Sequence, residues 1–517
     1  MSISEALAQD FGLVADLARL HARAQPEALA LAHDDARLSY AALDALMDRI
    51  AASLARDGVG HGDAIAICAN TSLAYAATFL GALRAGVAVA PIAPSSSPES
   101  LAMMVADCGA KLFFLDASVT AALDAAGVRT APPRIALDDS AAGAPLTSWL
   151  APEGTAFAPP TIAPGDAFNI IYSSGTTGAP KGIVQSHAMR WLHVQRAEGM
   201  GYAPGAVTLL STPLYSNTTL VSFFPTIAGG GAAVLMAKFD ARRFLELAQR
   251  YRVTHAMLVP VQYQRIMDIP DFDSFDLSSF QMKFCTSAPF SAALKRDVLR
   301  RWPGGLVEYY GMTEGGGSCA LAAHLFPDKL HTVGRPIEGH DIRIIGEDGV
   351  ELPPGAVGEI VGRSGAMMNG YHNQAQKTAD SYWWSPDGLR FMRTGDVGRF
   401  DEDGFLQLMD RKKDMIISGG FNIYPSDLEL TLAQHEAVRE SAVVGVASRQ
   451  WGETPVAFVV LEPGAQADAA AIRAWANERL GKTQRLADVV IVDALPRSHI
   501  GKVLKRELRD GYAGVVA

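Results

Sequence analysis

Between Ser39 and Asp57 apolar side chains recur at helical spacing, whereas Asp63 to Cys68 (DAIAIC) reads as a short buried strand. Phe79 to Val87 predicts a second apolar helix, running into Pro91 and Pro94. The Pro/Ala/Gly-rich stretch Ala151 to Pro164 reads as a surface connection. Ala167 to Tyr172 (AFNIIY) is then a strand that runs into a Ser/Thr/Gly loop, and Ala232 to Met236 and Thr254 to Val259 are further short buried strands. Helix and strand patterns in alternation predict α/β layers.

From about Val333 the texture changes. Asp341 to Ile345, Gly358 to Val361 and Gly404 to Met409 alternate in polarity, with the turn dipeptides Asp348-Gly349 and Asp403-Gly404 among them. This predicts a small antiparallel, barrel-like sheet. A last α+β unit starts near Lys413, with strands around Ala442 to Val446 and Val456 to Leu461 and helices over Pro425 to Ala433 and Asp468 to Leu480. The expected fold is therefore α/β, with a large N-terminal domain of layered subdomains plus the small sheet (residues 1–412) and a small α+β C-terminal domain (residues 413–517). At 517 residues the chain is too long for one compact core.

Composition narrows the function classes. Apolar residues make up 49% and charged residues 19%, values of a folded soluble protein. A net charge of -10 without a basic tract argues against a nucleic-acid partner. Cys68, Cys108, Cys285 and Cys319 are scattered, which fits a reducing compartment better than a disulfide framework. No secretion or lipidation signal and no membrane-length apolar run is present, so a cytoplasmic enzyme is expected, with a homodimer possible.

The chemistry begins at Tyr172-Ser173-Ser174-Gly175-Thr176-Thr177-Gly178-Ala179-Pro180-Lys181-Gly182. Glycines let backbone N–H groups turn toward an anion, hydroxyls add donors, and Lys181 adds a charge. Loop composition alone fits either a polyphosphate cradle or a flexible surface loop. It is not the Walker loop of P-loop ATPases, because Pro180 precedes the lysine and Gly182 follows it. The ordered string resembles the signature of the adenylate-forming superfamily, which comprises acyl- and aryl-CoA ligases, luciferases and peptide-synthetase adenylation domains. Four further stretches fit it in order: Tyr310-Gly311-Met312-Thr313-Glu314, Thr394-Gly395-Asp396, Asp410 to Asp414 with Gly419 to Pro425 behind it, and Pro496-Arg497 with Gly501-Lys502. The resemblance covers residues 165–506 and is greatest to ligases such as 4-coumarate or 4-chlorobenzoate CoA ligase.

The resemblance implies ATP, Mg²⁺ and CoA as cofactors and a small carboxylic acid as partner. Ser173 to Gly178, Ser287, Ala288, Tyr310, Gly311, Asp396 and Arg411 would hold the nucleotide, with Tyr310 stacked on adenine and Asp396 and Arg411 at the ribose. Thr313 would donate to the α-phosphate, Glu314 would hold Mg²⁺, and Lys181 and Lys502 would meet the reacting anions. A carboxylate must attack a phosphorus atom, so a bridging lysine offsets the repulsion. The C-terminal domain would be mobile, pivoting at Lys413, with Ser418, Gly419, Gly420 and Phe421 lining a tunnel for the CoA arm. The glycine pair also reads as a tight turn between strands. Loading a separate carrier protein, oxidation of the luciferase type and a non-catalytic nucleotide-binding regulator are the alternatives. Lys502, Glu314 and Lys181 favour the enzyme.

The acid pocket is where the sequence departs from the family. Ser216, followed by Asn217, replaces a histidine common in Pro-x-x-His, and Thr286 stands where glycine is common. Neighbouring strand residues face opposite ways, so Tyr309 should face the acid if Tyr310 faces adenine. Its ring, with Gly315 nearby in sequence, predicts a shortened pocket and a compact aromatic or short to medium aliphatic acid. The competing reading packs Tyr309 in the core. His187 fits a family position just after the loop, with a structural role sufficing to explain it.

Overall fold

The computed structural model describes residues 2–173, 181–411, 414–418, 421–448, 451–481, 484–498 and 501–512. It divides into two compact units, Met1–Leu330 with Ile337–Asp341 and Arg363–Met392, and His331–Pro336 with Ile342–Gly362 and Arg393–Ala517.

Two largely parallel sheets build the first unit. One runs, in spatial order, through Cys319–Ala322, Gly305–Tyr310, Met282–Cys285, His255–Leu258, Val207–Leu210, Ala232–Leu235, Leu29–His33 and Ala36–Ser39. The other runs through Gly370–Tyr371, Lys181–Ser186, Ala167–Ser173, Ala88–Pro91, Ala64–Cys68, Ala110–Leu115, Arg134–Ala136 and Ala144–Pro145. Parallel strands covered on both faces need unbroken apolar runs. Ala64–Cys68 accordingly has every residue buried.

The first expected helix spans Tyr40–Arg56, where the Ser39 hydroxyl accepts from the Ala42 N–H at 3.2 Å. Leu43, Met47, Ile50 and Leu54 form its buried stripe. The second differs from expectation. It spans Leu73–Arg84, started by the Ser72 hydroxyl accepting from Tyr75 N–H, so it begins before Phe79 and leaves Val87 outside. Buried without interruption from Tyr75 to Arg84, it has no polar face to mark its ends by periodicity.

Arg84 is the exception in that helix, 2% exposed. It donates to Asp48 at 2.9 Å, to the Asp44 carboxylate, and to the carbonyls of Asp44 (2.8 Å) and Ala15 (3.2 Å). One guanidinium thereby ties together the helices Val14–Ala24, Tyr40–Arg56 and Leu73–Arg84.

In the second unit Leu406–Arg411 pairs antiparallel with Arg390–Phe400. A further sheet orders Phe421–Ile423, Ile416–Ser418, Gly452–Leu461 and Val438–Ser448, with Asp488–Ile491 parallel to Gly452–Leu461. Both long strands extend past their expected bounds. The helices Pro425–Leu432 and Ala469–Arg479 contribute Leu428, Leu432, Ile472 and Ala476 to a core with Ile416, Val443 and Val459. All four cysteines are buried and outside any disulfide. Among the described residues no helix is long and apolar enough to cross a membrane.

Removing Arg84 empties a buried space and leaves Asp44 and Asp48 with Arg19 as their remaining cation among the described residues. Because Arg19 still meets both acids, Arg84→Ala should cost about 3 kcal/mol, the low end for a broken buried pair, read as an earlier urea-unfolding transition, whereas an unchanged transition would show the ion pairs to be dispensable.

Candidate active site

The phosphate loop connects two antiparallel strands. Ala167–Ser173 and Lys181–Ser186 pair with Ser173 opposite Lys181 and Tyr172 opposite Gly182. A strand–loop–strand hairpin is not the strand–loop–helix of a Walker site. Ser174, Gly175, Thr176, Thr177 and Gly178 themselves lie outside the described residues.

The hairpin's outer edge carries Gly370–Tyr371, with Tyr371 opposite Ile183. The Tyr371 hydroxyl donates to Glu314 Oε1 at 2.9 Å, and Lys181 Nζ lies 5.2 Å from the Tyr371 ring centre. One ring thus joins the expected phosphate lysine to the expected metal carboxylate. Burial, reinforced by the Glu314 charge, holds the Tyr371 phenol well above its usual range. The Glu314 carbonyl accepts from Met368 N–H at 2.8 Å. Gly315 lies in the left-handed region (φ +80°) and bridges Met367, and a Cβ there would come within 1.9 Å of the Ala366 carbonyl. Only glycine permits that approach.

Thr313 is held from its backbone, since Gln185 Nε2 donates to the Thr313 carbonyl at 2.6 Å. Gln185 belongs to a group with the buried Asn169 and Arg190 and the half-buried Asn217. Arg190 donates to Asn217 Oδ1 at 2.9 Å, at the first residue of the helix Asn217–Ala228. Ser216 is buried just before it. One residue on, the Thr218 and Ser287 hydroxyls meet at 2.6 Å. Ser287 has φ +81°, strained for a residue with a side chain. Ala288 and Thr286 flank it on the same loop.

Tyr310 is buried, and Tyr309 points to the other face of the strand Gly305–Tyr310. There the Tyr309 ring stacks on Phe284 at 5.9 Å, beside Tyr202, Met257 and Val307. Tyr309 therefore packs against an aromatic cluster while remaining half-buried. Burial pushes its phenol up to about 12, against the pull of the Arg196 charge. Gly311 is exposed, and a Cβ there would meet the Ser318 hydroxyl at 2.8 Å.

In the second unit Asp396 lies opposite Arg411 in the strand pair, so the two expected ribose residues are cross-strand neighbours. Lys502 sits on a turn after Gly501 (φ +78°), where Ser498 N–H donates to the Lys502 carbonyl at 2.8 Å and Leu504 N–H to Pro496 at 2.8 Å. Arg497 braces the turn by donating to the Gly501 carbonyl at 2.8 Å and Glu440 at 2.6 Å. Ser418 pairs with Phe421 between antiparallel strands; Gly419, Gly420 and the expected hinge residue Lys413 lie outside the described residues.

Tyr371, Gln185, Asn169 and Arg190 were not foreseen. They come from separate stretches, and only the strand assignment of Ala167–Tyr172 placed one of them beside the loop.

Against this geometry stand the comparisons with known proteins. Residues 18–372 match the AMP-binding enzyme family and residues 427–502 the AMP-binding enzyme C-terminal domain. An indoleacetate–CoA ligase from Aromatoleum aromaticum is 34% identical over 506 residues, covering 95% of this chain and 96% of that one. A feruloyl-CoA synthase from an Amycolatopsis species is 33% identical over 500 residues, covering 94% and 96%. The solved amide bond synthetase McbA from Marinactinospora thermotolerans superposes with a TM-score of 0.86 at 28% identity, covering 96% of this chain and 99% of that one. The chain belongs to the AMP-binding enzyme family. Within it, the protein is an ATP-dependent, AMP-forming acyl/aryl-CoA synthetase.

His187, 4% exposed, packs edge-on against Phe168 at 5.0 Å, and its Nε2 has no partner among the described residues. Burial pushes its imidazole down to about 4, against the opposing pull of Asp166. The unfolded chain takes up that proton near pH 6.5 and the folded chain only near 4, so stability falls with pH across that window and levels off below it. The slope should be about 1.4 kcal/mol per pH unit from this group. His187→Phe should flatten the fall in melting temperature between pH 6.5 and 5; an undiminished fall would place its origin elsewhere.

Proposed function

We propose that the acid is compact, aromatic or short to medium aliphatic, and that it is activated as an acyl-adenylate before transfer to CoA. The stacked Tyr309–Phe284 pair carries this reading, because it fills space beside the strand that leads into the nucleotide motif. Similarity to ligases named for indoleacetate and ferulate supports an aromatic acid.

The remaining residues take the following parts. Lys181 and the hairpin loop hold the phosphates, Thr313 donates to the α-phosphate, and Tyr310 stacks on adenine between Gly311 and the Ser287-Ala288 loop. Asp396 and Arg411 take the ribose. Glu314 would hold Mg²⁺, which favours one or two carboxylates together with phosphate oxygens and water over an all-protein cage. That preference fits a site where no cluster of three or more metal-ligating side chains occurs among the described residues. Ser216, Asn217, Thr286, Tyr309 and Gly315 surround the acid. The boundary falls at 412/413, Lys413 is the hinge, Lys502 serves adenylation, and Ser418 to Phe421 serve the thiol step.

A pyrophosphate-release screen over carboxylic acids, run with and without CoA, tests the activity. Acid-dependent release and CoA-dependent formation of acyl-CoA are expected; acid-independent release counts against the reading, and transfer to amines or a carrier protein alone would reassign the acceptor. Lys502→Ala should lose adenylation and keep thioester formation from supplied acyl-AMP, whereas equal loss of both would contradict its role. Tyr309→Gly should shift preference toward longer acids, and an unchanged chain-length profile would remove Tyr309 from the pocket.

A further inference from the structure

Arg190 is an unusual residue to bury. It is 1% exposed on the helix His187–Ala197, and no carboxylate pairs with it among the described residues. Its partners are neutral. Nε and Nη2 both donate to Asn169 Oδ1 at 3.1 Å, and Nη2 also donates to Gln185 Oε1 and to Asn217 Oδ1 at 2.9 Å. The rings of Phe168 and Phe224 lie 5.8 and 5.6 Å from the guanidinium carbon. A buried cation without an anion is costly, and an apolar residue of similar volume often gives equal or greater stability. Stability alone therefore does not account for an arginine here.

The three amides sit on three different parts of the site. Asn169 lies on the strand entering the phosphate loop, Gln185 on the strand leaving it, and Asn217 at the start of the helix behind Ser216. Asn169 Nδ2 donates to Gln185 Oε1 at 3.0 Å, and Gln185 spends its own N–H on the Thr313 carbonyl. A guanidinium is a planar fork of fixed donors, so it orients several carbonyls in one plane, which the freely rotating ammonium of a lysine does not impose. With its oxygen claimed by Arg190 and Asn169, the Gln185 amide has only its nitrogen left to offer Thr313.

We propose that Arg190 is a positioning residue that, through Gln185, fixes the nucleotide motif at Thr313 relative to the acid pocket at Asn217. The inference rests on the adenylation reading above. It makes the network a requirement for catalysis beyond folding, because misplacement of a reacting group by about 1 Å can cost about a hundredfold in rate.

The decisive variant is Gln185→Glu. Its carboxylate still accepts from Arg190 and Asn169 and gives the buried cation an anion, while the N–H that holds Thr313 disappears. The new charge pair with Arg190 offsets the repulsion between the carboxylate and the Thr313 carbonyl, so the melting temperature should stay within a few degrees of the unaltered enzyme, while kcat for acid-dependent pyrophosphate release falls by about tenfold or more. Arg190→Lys, assayed as folded protein, should lose kcat similarly, and Arg190→Met combined with Asn217→Ala should lose less than the product of the single losses. A stable Gln185→Glu enzyme with unaltered kcat, or multiplicative losses in the double variant, would overturn the proposal. If the unaltered enzyme releases no pyrophosphate with any acid, the ligase reading itself fails; if it turns over and the variants match it, only the positioning role fails.

Discussion

The backbone hydrogen bonds between Ala167–Ser173 and Lys181–Ser186 hold the first unit's site together. This hairpin closes the phosphate loop, so the loop's ends are fixed by the sheet. Its return strand presents Lys181 and Gln185, its leading strand Asn169, and its outer edge pairs with Gly370–Tyr371. Through Tyr371 and Met368 it reaches Glu314, and through Gln185 it reaches Thr313. A register slip of one residue would turn each of these side chains to the opposite face. The site's geometry is thus largely a consequence of one strand pairing, anchored against the parallel neighbour Ala88–Pro91.

Charge sets the second constraint. The chain carries a net charge of -10, yet both reactants of an adenylation are anions, so the global field opposes their approach. Local cations must supply the attraction. Lys181 lies against the Tyr371 ring while Tyr371 donates to Glu314, an arrangement that keeps a cation and an anion near each other without neutralising either in a direct ion pair. Arg190 goes further, since its contacts are with amides and its charge is not cancelled by an acid among the described residues. Arg84 shows the opposite solution elsewhere in the same unit, where Asp44 and Asp48 meet the buried guanidinium and the role is structural.

Much of this was legible in the sequence. Strand runs such as Ala64–Cys68 and Ala167–Ser173 stand out because parallel strands are apolar on both faces. The ordered motifs marked the loop, Glu314, Asp396 and Lys502 as candidates because each is a short local string. What stayed hidden were contacts between distant stretches, such as Tyr371 with Glu314 or Arg190 with Asn217, where nothing local marks the partner. The start of Leu73–Arg84 was hidden for a different reason. A helix buried on all sides has no periodicity to read, and only the Ser72 cap marks its beginning.

The strand Gly305–Tyr310 shows how a buried ion pair can set the orientation of its neighbours. Glu308 and Lys295 form an ion pair at 3% and 1% exposure. Such a pair is a weak source of stability, because desolvating two charges offsets most of their attraction. It is a strong source of register, because a slip would leave a buried charge alone. Glu308 lies two residues before Tyr310, on the same face, and Tyr309 lies between them on the other. Fixing Glu308 against the helix Ala292–Arg301 therefore fixes which tyrosine faces the Phe284 cluster and which does not. The opposite orientation of the two tyrosines on that strand then rests on a charge pair that includes neither ring.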